Sequence, residues 1–326
     1  MKKTPTVIVT ILLLALVAGN VLQFIFREQK TEYPNTIMFS NANSRDTYFS
    51  IHNIAEAHKL SKGVGIKVGI IDWNFGIPEH SDIYTDVLDF TGSSNNHLSG
   101  HGYWMAAVLK EIAPECEVYG LGVGTSPYDE SGFVNVMNEV VIWSIENGID
   151  VLTLSFERIS DANRAKFDEA VNKAFGYGIA TTFIHCDNPN NILPFGLVDY
   201  NKIKLPYARE PDINVFHYDY NAVQLNYYMQ FLESGPAKSI DDIIKGGYIP
   251  FYSNSSLSPV TAGFIAILKG INNTLSPAEY KKILVETSYA MHFSGGVADF
   301  EDADVEYVVD IGKAVKYLQD NYYFHP

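Results

Sequence analysis

The chain has 326 residues, 47% of them apolar and 19% charged, which excludes a disordered polymer and is enough for one large domain or two medium ones. The formal charge is −15; the first 30 residues are net +3, so the remainder carries −18, and a body that acidic does not have nucleic-acid binding as its main task. Two cysteines, Cys116 and Cys186, cannot make a disulfide scaffold, and no CxxC or Cys/His cluster points to structural zinc.

In chain order, Met1-Lys2-Lys3 precedes an apolar run from Val7 to Ala18, which resumes after Gly19-Asn20 as Val21 to Phe26 and meets Arg27. A basic flank and a 12-residue apolar core suit a secretory signal peptide. The whole 20-residue stretch is also just long enough to span a bilayer as a helix. Either way the acidic body lies outside the cytoplasm. The partition expected is 1–30 signal peptide or membrane anchor, 31–44 linker, and 45–326 one catalytic-size domain.

Ile51, Ile54, Ala55, Ala57 and Leu60 recur at helical spacing. After the turn Gly63-Val64-Gly65, the run Ile66–Ile71 is short and β-branched, as a buried parallel strand should be, and it ends at Asp72. Strand and helix then alternate. Glu117–Val123, Asp150–Ser155 and Ile179–Ile184 read as strands; Gly132–Asn147 and Arg164–Tyr177 read as helices. Such alternation means a mostly parallel sheet with helices on both faces. Residues 188–255 are irregular and rich in Tyr, Asn and Pro. A helix over Pro259–Lys269 is expected to close with Gly270 as C-cap, and Ser276 with Glu279 forms a capping box for the next.

Three places carry chemistry. Asp72 sits at the carboxyl end of a strand, where function gathers in open parallel sheets. His101, flanked by Gly100 and Gly102, opens an apolar helix. A helix start disfavours imidazolium, so a neutral ring there suits a general base. The hydroxyl cluster Ser253-Asn254-Ser255-Ser256-Leu257-Ser258 leads into a helix with Pro259 in its first turn, where backbone N–H groups can help hold an oxyanion. Asp, His and Ser in that chain order are the subtilisin order of the catalytic triad.

The motifs follow suit. Val68-Gly69-Ile70-Ile71-Asp72 with His80-Ser81-Asp82-Ile83 resembles the Asp motif of the subtilisin-like serine peptidases. His101-Gly102-Tyr103-Trp104-Met105-Ala106-Ala107 resembles their His motif, and Ser253 to Gly263 their Ser motif, with Ser258-Pro259 and Ala262-Gly263 fixing the register. Asn147–Ser155 is similar to the substrate-side strand. The resemblance covers nearly everything from Ile54 to about Leu318. It implies a three-layer α/β fold and a serine endopeptidase with Ser255 as nucleophile, His101 as general base and Asp72 orienting the imidazole. Ser155, Phe156 and Glu157 would line the substrate cleft, the peptide lying extended along a strand edge there.

The sequence departs from that family at three points. Trp73-Asn74 stands where Thr-Gly is usual, and Ser253-Asn254 where Gly-Thr is. The oxyanion Asn falls on Asp187 in a gapless reading and on Asn188 with a one-residue slip. A carboxylate facing a developing oxyanion would repel it, whereas a lost donor alone costs roughly 10²–10³ in rate. The stretch before Ile54 is also too short for the family's inhibitory propeptide. The rival expectation is therefore a catalytically impaired relative that binds peptide or a partner protein.

No cofactor is expected. His185-Cys186-Asp187 lacks a third ligand at metal spacing, and His80 with Asp82 reads as a structural turn. The acidic stretch Asp299–Asp304 could hold structural calcium or be a solvated loop; it lacks EF-hand spacing. The partners expected are a peptide or protein substrate and, through residues 1–30, a membrane; nucleic acid is not one.

Overall fold

The structure is a computed structural model and describes residues 36–38, 49–73, 75, 82–92, 101–124, 130–155, 159–183, 186, 188–192, 254–294 and 303–322. The chain divides into two compact units, Met1–Thr36 and Ile37–Pro326. Of the first, only Thr36 is described, so the apolar run Val7–Phe26 lies outside the described residues. Among the described residues no helix is long and apolar enough to cross a membrane.

The elements in chain order are β1 (Thr36–Met38), α1 (Ile54–Ala57), β2 (Lys67–Asp72), β3 (Asp86–Asp89), α2 (His101–Ile112), β4 (Glu117–Gly122), α3 (Glu130–Glu146), β5 (Val151–Leu154), α4 (Asp161–Gly176), β6 (Ala180–Phe183), α5 (Leu257–Ile271), α6 (Pro277–Thr287), β7 (Tyr289–Ser294), β8 (Ala303–Val308) and α7 (Ile311–Tyr322). Five strands form one parallel sheet in the order β3-β4-β2-β5-β6. A second, small sheet contains the antiparallel pair β7 and β8.

β2 is central. It pairs with β4 from Lys67↔Glu117 to Asp72↔Gly122, and with β5 from Val68↔Val151 to Ile71↔Leu154. Helices cover both faces of the sheet, which is why Val68–Ile71 is apolar without alternation. Successive side chains still point to opposite faces. Val68, Ile70, Val118, Val151 and Ala180 enter a core shared with α2, α5, α6 and α7. Ile71, Leu121, Leu152, Leu154 and Phe183 enter a second core shared with α3 and α4. This is the three-layer α/β fold expected from the alternating pattern.

Some expectations are corrected. The helix expected over Ile51–Leu60 is broken: residues 49–51 and Ile54–Ala57 are helical, and Asn53 between them is left-handed at φ 55. Gly270 is not a C-cap: α5 continues to Ile271 and Asn272 caps it. Gly270 is needed for close approach instead, since a Cβ there would stand 2.5 Å from Ser61 Oγ. The Ser276–Glu279 capping box forms in both directions. Gly63 and Gly65 take φ of +82° and +75° in the turn before β2, backbone that other residues resist.

Candidate active site

Asp72 is the last residue of β2 and is completely buried. Its position shares a parity with Val68 and Ile70, so it faces the α2 and α5 layer. His101 is the first residue of α2. Its Nδ1 lies 2.9 Å from Asp72 Oδ1 and 2.8 Å from Oδ2. An ionised carboxylate only accepts, so Nδ1 carries the proton, and Nε2 of the neutral ring is left as acceptor. The Trp73 N–H donates to Asp72 Oδ1 at 2.8 Å. Burial pushes the Asp72 carboxyl above its ordinary range, outweighing the attraction of His101 and the two hydrogen bonds that lower it. The imidazole side chain keeps 15% exposure against none for the carboxylate, so a substrate can reach the first and not the second.

Aromatic residues close in behind this pair. Trp73 stacks on the His101 ring with centroids 4.5 Å apart and planes 6° from parallel. Phe75 is fully buried, with its ring where a Cβ on Gly102 would stand 2.6 Å away, so only glycine admits it after His101. Tyr84 meets Phe75 and Tyr103 edge-on and donates to the Phe75 carbonyl at 3.0 Å. Burial, then Tyr103 and Asp72, raise the Tyr84 phenol well above its ordinary range, so it stays neutral.

Ser255 lies in the 3₁₀ turn Asn254–Ser256 that runs straight into α5, and this turn packs against α2. Four side-chain bonds tie the segment to the strand ends. Ser155 Oγ donates to the Ser255 carbonyl at 2.7 Å, and Ser255 Oγ donates to the Ser155 carbonyl at 3.3 Å. Ser258 Oγ donates to the Leu154 carbonyl at 2.8 Å, and Thr182 Oγ1 donates to the Ser258 carbonyl at 3.1 Å. Ser255 is half-buried, whereas Ser256 is 1% exposed.

The structure therefore gathers Asp72, His101, Ser155 and Ser255 at the carboxyl end of the sheet. Phe156, Glu157 and Asp187 lie outside the described residues, as do Asn74, His80, His185 and Ser253. Asn188 is described, and its amide donates to Asp168 Oδ1 at 3.0 Å and Asn172 Oδ1 at 3.2 Å. Both amide protons are thus engaged by α4. β5 is paired on both sides over Val151–Leu154, so a peptide finds an open edge only beyond Leu154. A cavity of about 770 Å³ begins a few residues further on, lined by Ile159, Ser160, Asp161, Arg164, Asp168, Asn188 and Pro189. Among the described residues no three His, Cys, Asp or Glu side chains gather to hold a metal, and only residues 303 and 304 of the acidic stretch are described.

Sequence reasoning marked Trp73 only as a departure and overlooked Phe75, Thr182 and the hydroxyl role of Ser258. The signal for Trp73 was a large aromatic directly after the Asp, where the motif has a small residue.

No protein-family model matches the chain, and no curated protein sequence does. Solved structures do. MycP1 with its N-terminal propeptide removed is 16% identical, with a TM-score of 0.51 over 86% of this chain and 98% of that one. MycP3 protease from the type VII (ESX-3) secretion system is 13% identical, with a TM-score of 0.52 over 82% and 87%. A lanthipeptide protease is 14% identical, with a TM-score of 0.51 over 83% and 94%. With the parallel sheet and its strand-end site, these matches give the chain the subtilisin-like serine protease fold.

Proposed function

We propose that the protein is a serine endopeptidase. Ser255 Oγ attacks the carbonyl carbon of a peptide bond while His101 Nε2 takes its proton. The tetrahedral intermediate collapses, the proton passes from His101 to the leaving amine, and an ester on Ser255 remains. Water, deprotonated by the same nitrogen, hydrolyses that ester and restores Ser255. Asp72 holds the Nδ1–H tautomer and balances the imidazolium.

The observation that carries this reading is the buried Asp72 carboxylate within 2.9 Å of His101 Nδ1, at the strand end where the Ser255 turn packs on α2. The half-buried Ser255, against the fully buried Ser256, supports the first as nucleophile. The shared fold with proteases supports the reaction class. The substrate is a peptide or protein extended along residues 155–157. The test is hydrolysis of a peptide library by the full chain. Cleavage is expected in the parent and lost in Ser255→Ala and His101→Ala; cleavage surviving in Ser255→Ala would overturn the assignment.

A second reading, an impaired relative that binds peptide, draws on Asn188. With its amide engaged by α4, Asp187 is the remaining side-chain candidate for the oxyanion position. If Asp187 faces the oxyanion, Asp187→Asn should raise kcat by about 10-fold or more. A parent that cleaves nothing, with an Asp187→Asn variant that does, would establish this second reading.

The body acts outside the cytoplasm, delivered or tethered by residues 1–30. The Lys2/Lys3 flank supports that orientation, and MycP1, of the same fold, is described as an essential component of a type VII secretion system. Protease added to intact cells should digest the body; complete protection would contradict this.

A further inference from the structure

We infer that Trp73 is a positioning residue for His101: its indole sets the plane of an imidazole that Asp72 pins at one atom. The inference rests on the triad reading above.

Residue 73 touches both triad partners. Its N–H donates to Asp72 Oδ1 at 2.8 Å. Its carbonyl accepts the Gly102 N–H at 3.0 Å, next to His101 at the start of α2. Any residue but proline could make both bonds. The indole adds something only a flat ring can, a wall 6° from parallel with the imidazole at a 4.5 Å centroid distance. That is the offset-stacked arrangement aromatic quadrupoles favour.

The geometry shows why the wall matters. The His101 Cβ is fixed by the helix start, and Nδ1 by the two carboxylate oxygens. The ring can still tilt about the line joining those two atoms. Nε2 lies off that line, so tilt moves the nitrogen that must meet the Ser255 proton. A misplacement of 1 Å at a reacting atom can cost roughly 10²-fold in rate. A parallel indole in contact with the ring blocks the tilt on one side.

The test has two arms on the full chain. In the first, histidines are labelled with ¹³C at Cε1, and His101→Gln assigns the His101 signal among the nine. The Cε1–H proton is expected upfield of the other histidines through the indole ring current. It should return downfield in Trp73→Leu and keep part of the displacement in Trp73→Phe. In the second arm, the rate of fluorophosphonate adduct formation should fall about 10-fold in Trp73→Leu, the size of a lost aromatic pair, with the KM for peptide unchanged. Trp73→Phe should recover most of that loss.

A His101 signal that does not move when the indole is removed would overturn the inference, as would equal rate losses in the Phe and Leu variants. A parent that forms no adduct overturns the peptidase reading instead, and the NMR arm alone then decides whether Trp73 holds the ring. Should Trp73→Leu fail to fold, the parent and Trp73→Phe compared at the same resonance decide it.

Discussion

Asp72 is a costly residue to keep. Its carboxylate is wholly out of water, and the Trp73 N–H and His101 Nδ1 only partly offset the lost hydration. The native pKa therefore stands above the unfolded one, so the native state binds the proton more tightly. Stability from this group is fully present below the unfolded value of about 3.9 and is lost as pH rises through the native value. Asp72→Asn removes the charge and keeps the shape. It should stabilise the fold at pH 7 by about 1 kcal/mol, a common size for a stabilising change, while abolishing turnover. Thermal unfolding at pH 7 and at pH 3.5 checks this. The gain should shrink at the acid end; a variant less stable than the parent at pH 7 would mean that the His101 pairing outweighs burial.

At the scale of elements, the site is a meeting of one strand end and two helix starts. α2 brings His101 and α5 follows Ser255, so the contact between these helices sets their spacing. Gly263 makes that contact close: a Cβ there would stand 2.6 Å from Ile112 Cβ and Cγ2. Gly263→Ala should force the helices apart, cost about 1–3 kcal/mol, and lower kcat more than it raises KM. Unfolding curves and peptide kinetics check it; a variant with unchanged Tm and kcat would show that the packing relaxes elsewhere.

The same elements explain what could be read in advance. β2, β5 and β6 are buried on both faces, so each is a short run dominated by apolar and β-branched residues and bounded by turns, and each was legible. β3 is an edge strand, exposed at Asp86 and Asp89 and only half-buried between, and leaves no apolar pattern. Gly270 imitated a helix stop because close approach and capping both select glycine. Asp72, His101 and Ser255 stand out in the sequence through their order and their Gly- or Ser-marked turns, and the structure sets His101 on Asp72 and packs the Ser255 turn on α2. The Trp73 stack was not, because it joins residues that only the fold brings together.

Across the whole molecule, the sheet divides two cores, and the two cysteines fall one to each. Cys116 is buried beside α2 and α5, and Cys186 beside α3 and α4, and neither is in a disulfide. Burial pushes the Cys116 thiol up to about 12, so it is almost entirely un-ionised at neutral pH. A thiol reagent should find neither cysteine within minutes in the native protein and both after denaturation without reductant. Rapid native labelling of Cys116 would contradict the packing of α2 on the sheet.

The central claim, that this fold carries a working Ser255 nucleophile, is tested most directly by treating the full chain with a fluorophosphonate and mapping the adduct by mass spectrometry. One adduct is expected, on the peptide containing Ser255, absent in Ser255→Ala, retained in Ser256→Ala and strongly slowed in His101→Ala. An adduct on any other residue, or a Ser255→Ala protein that labels as fast as the parent, would contradict it.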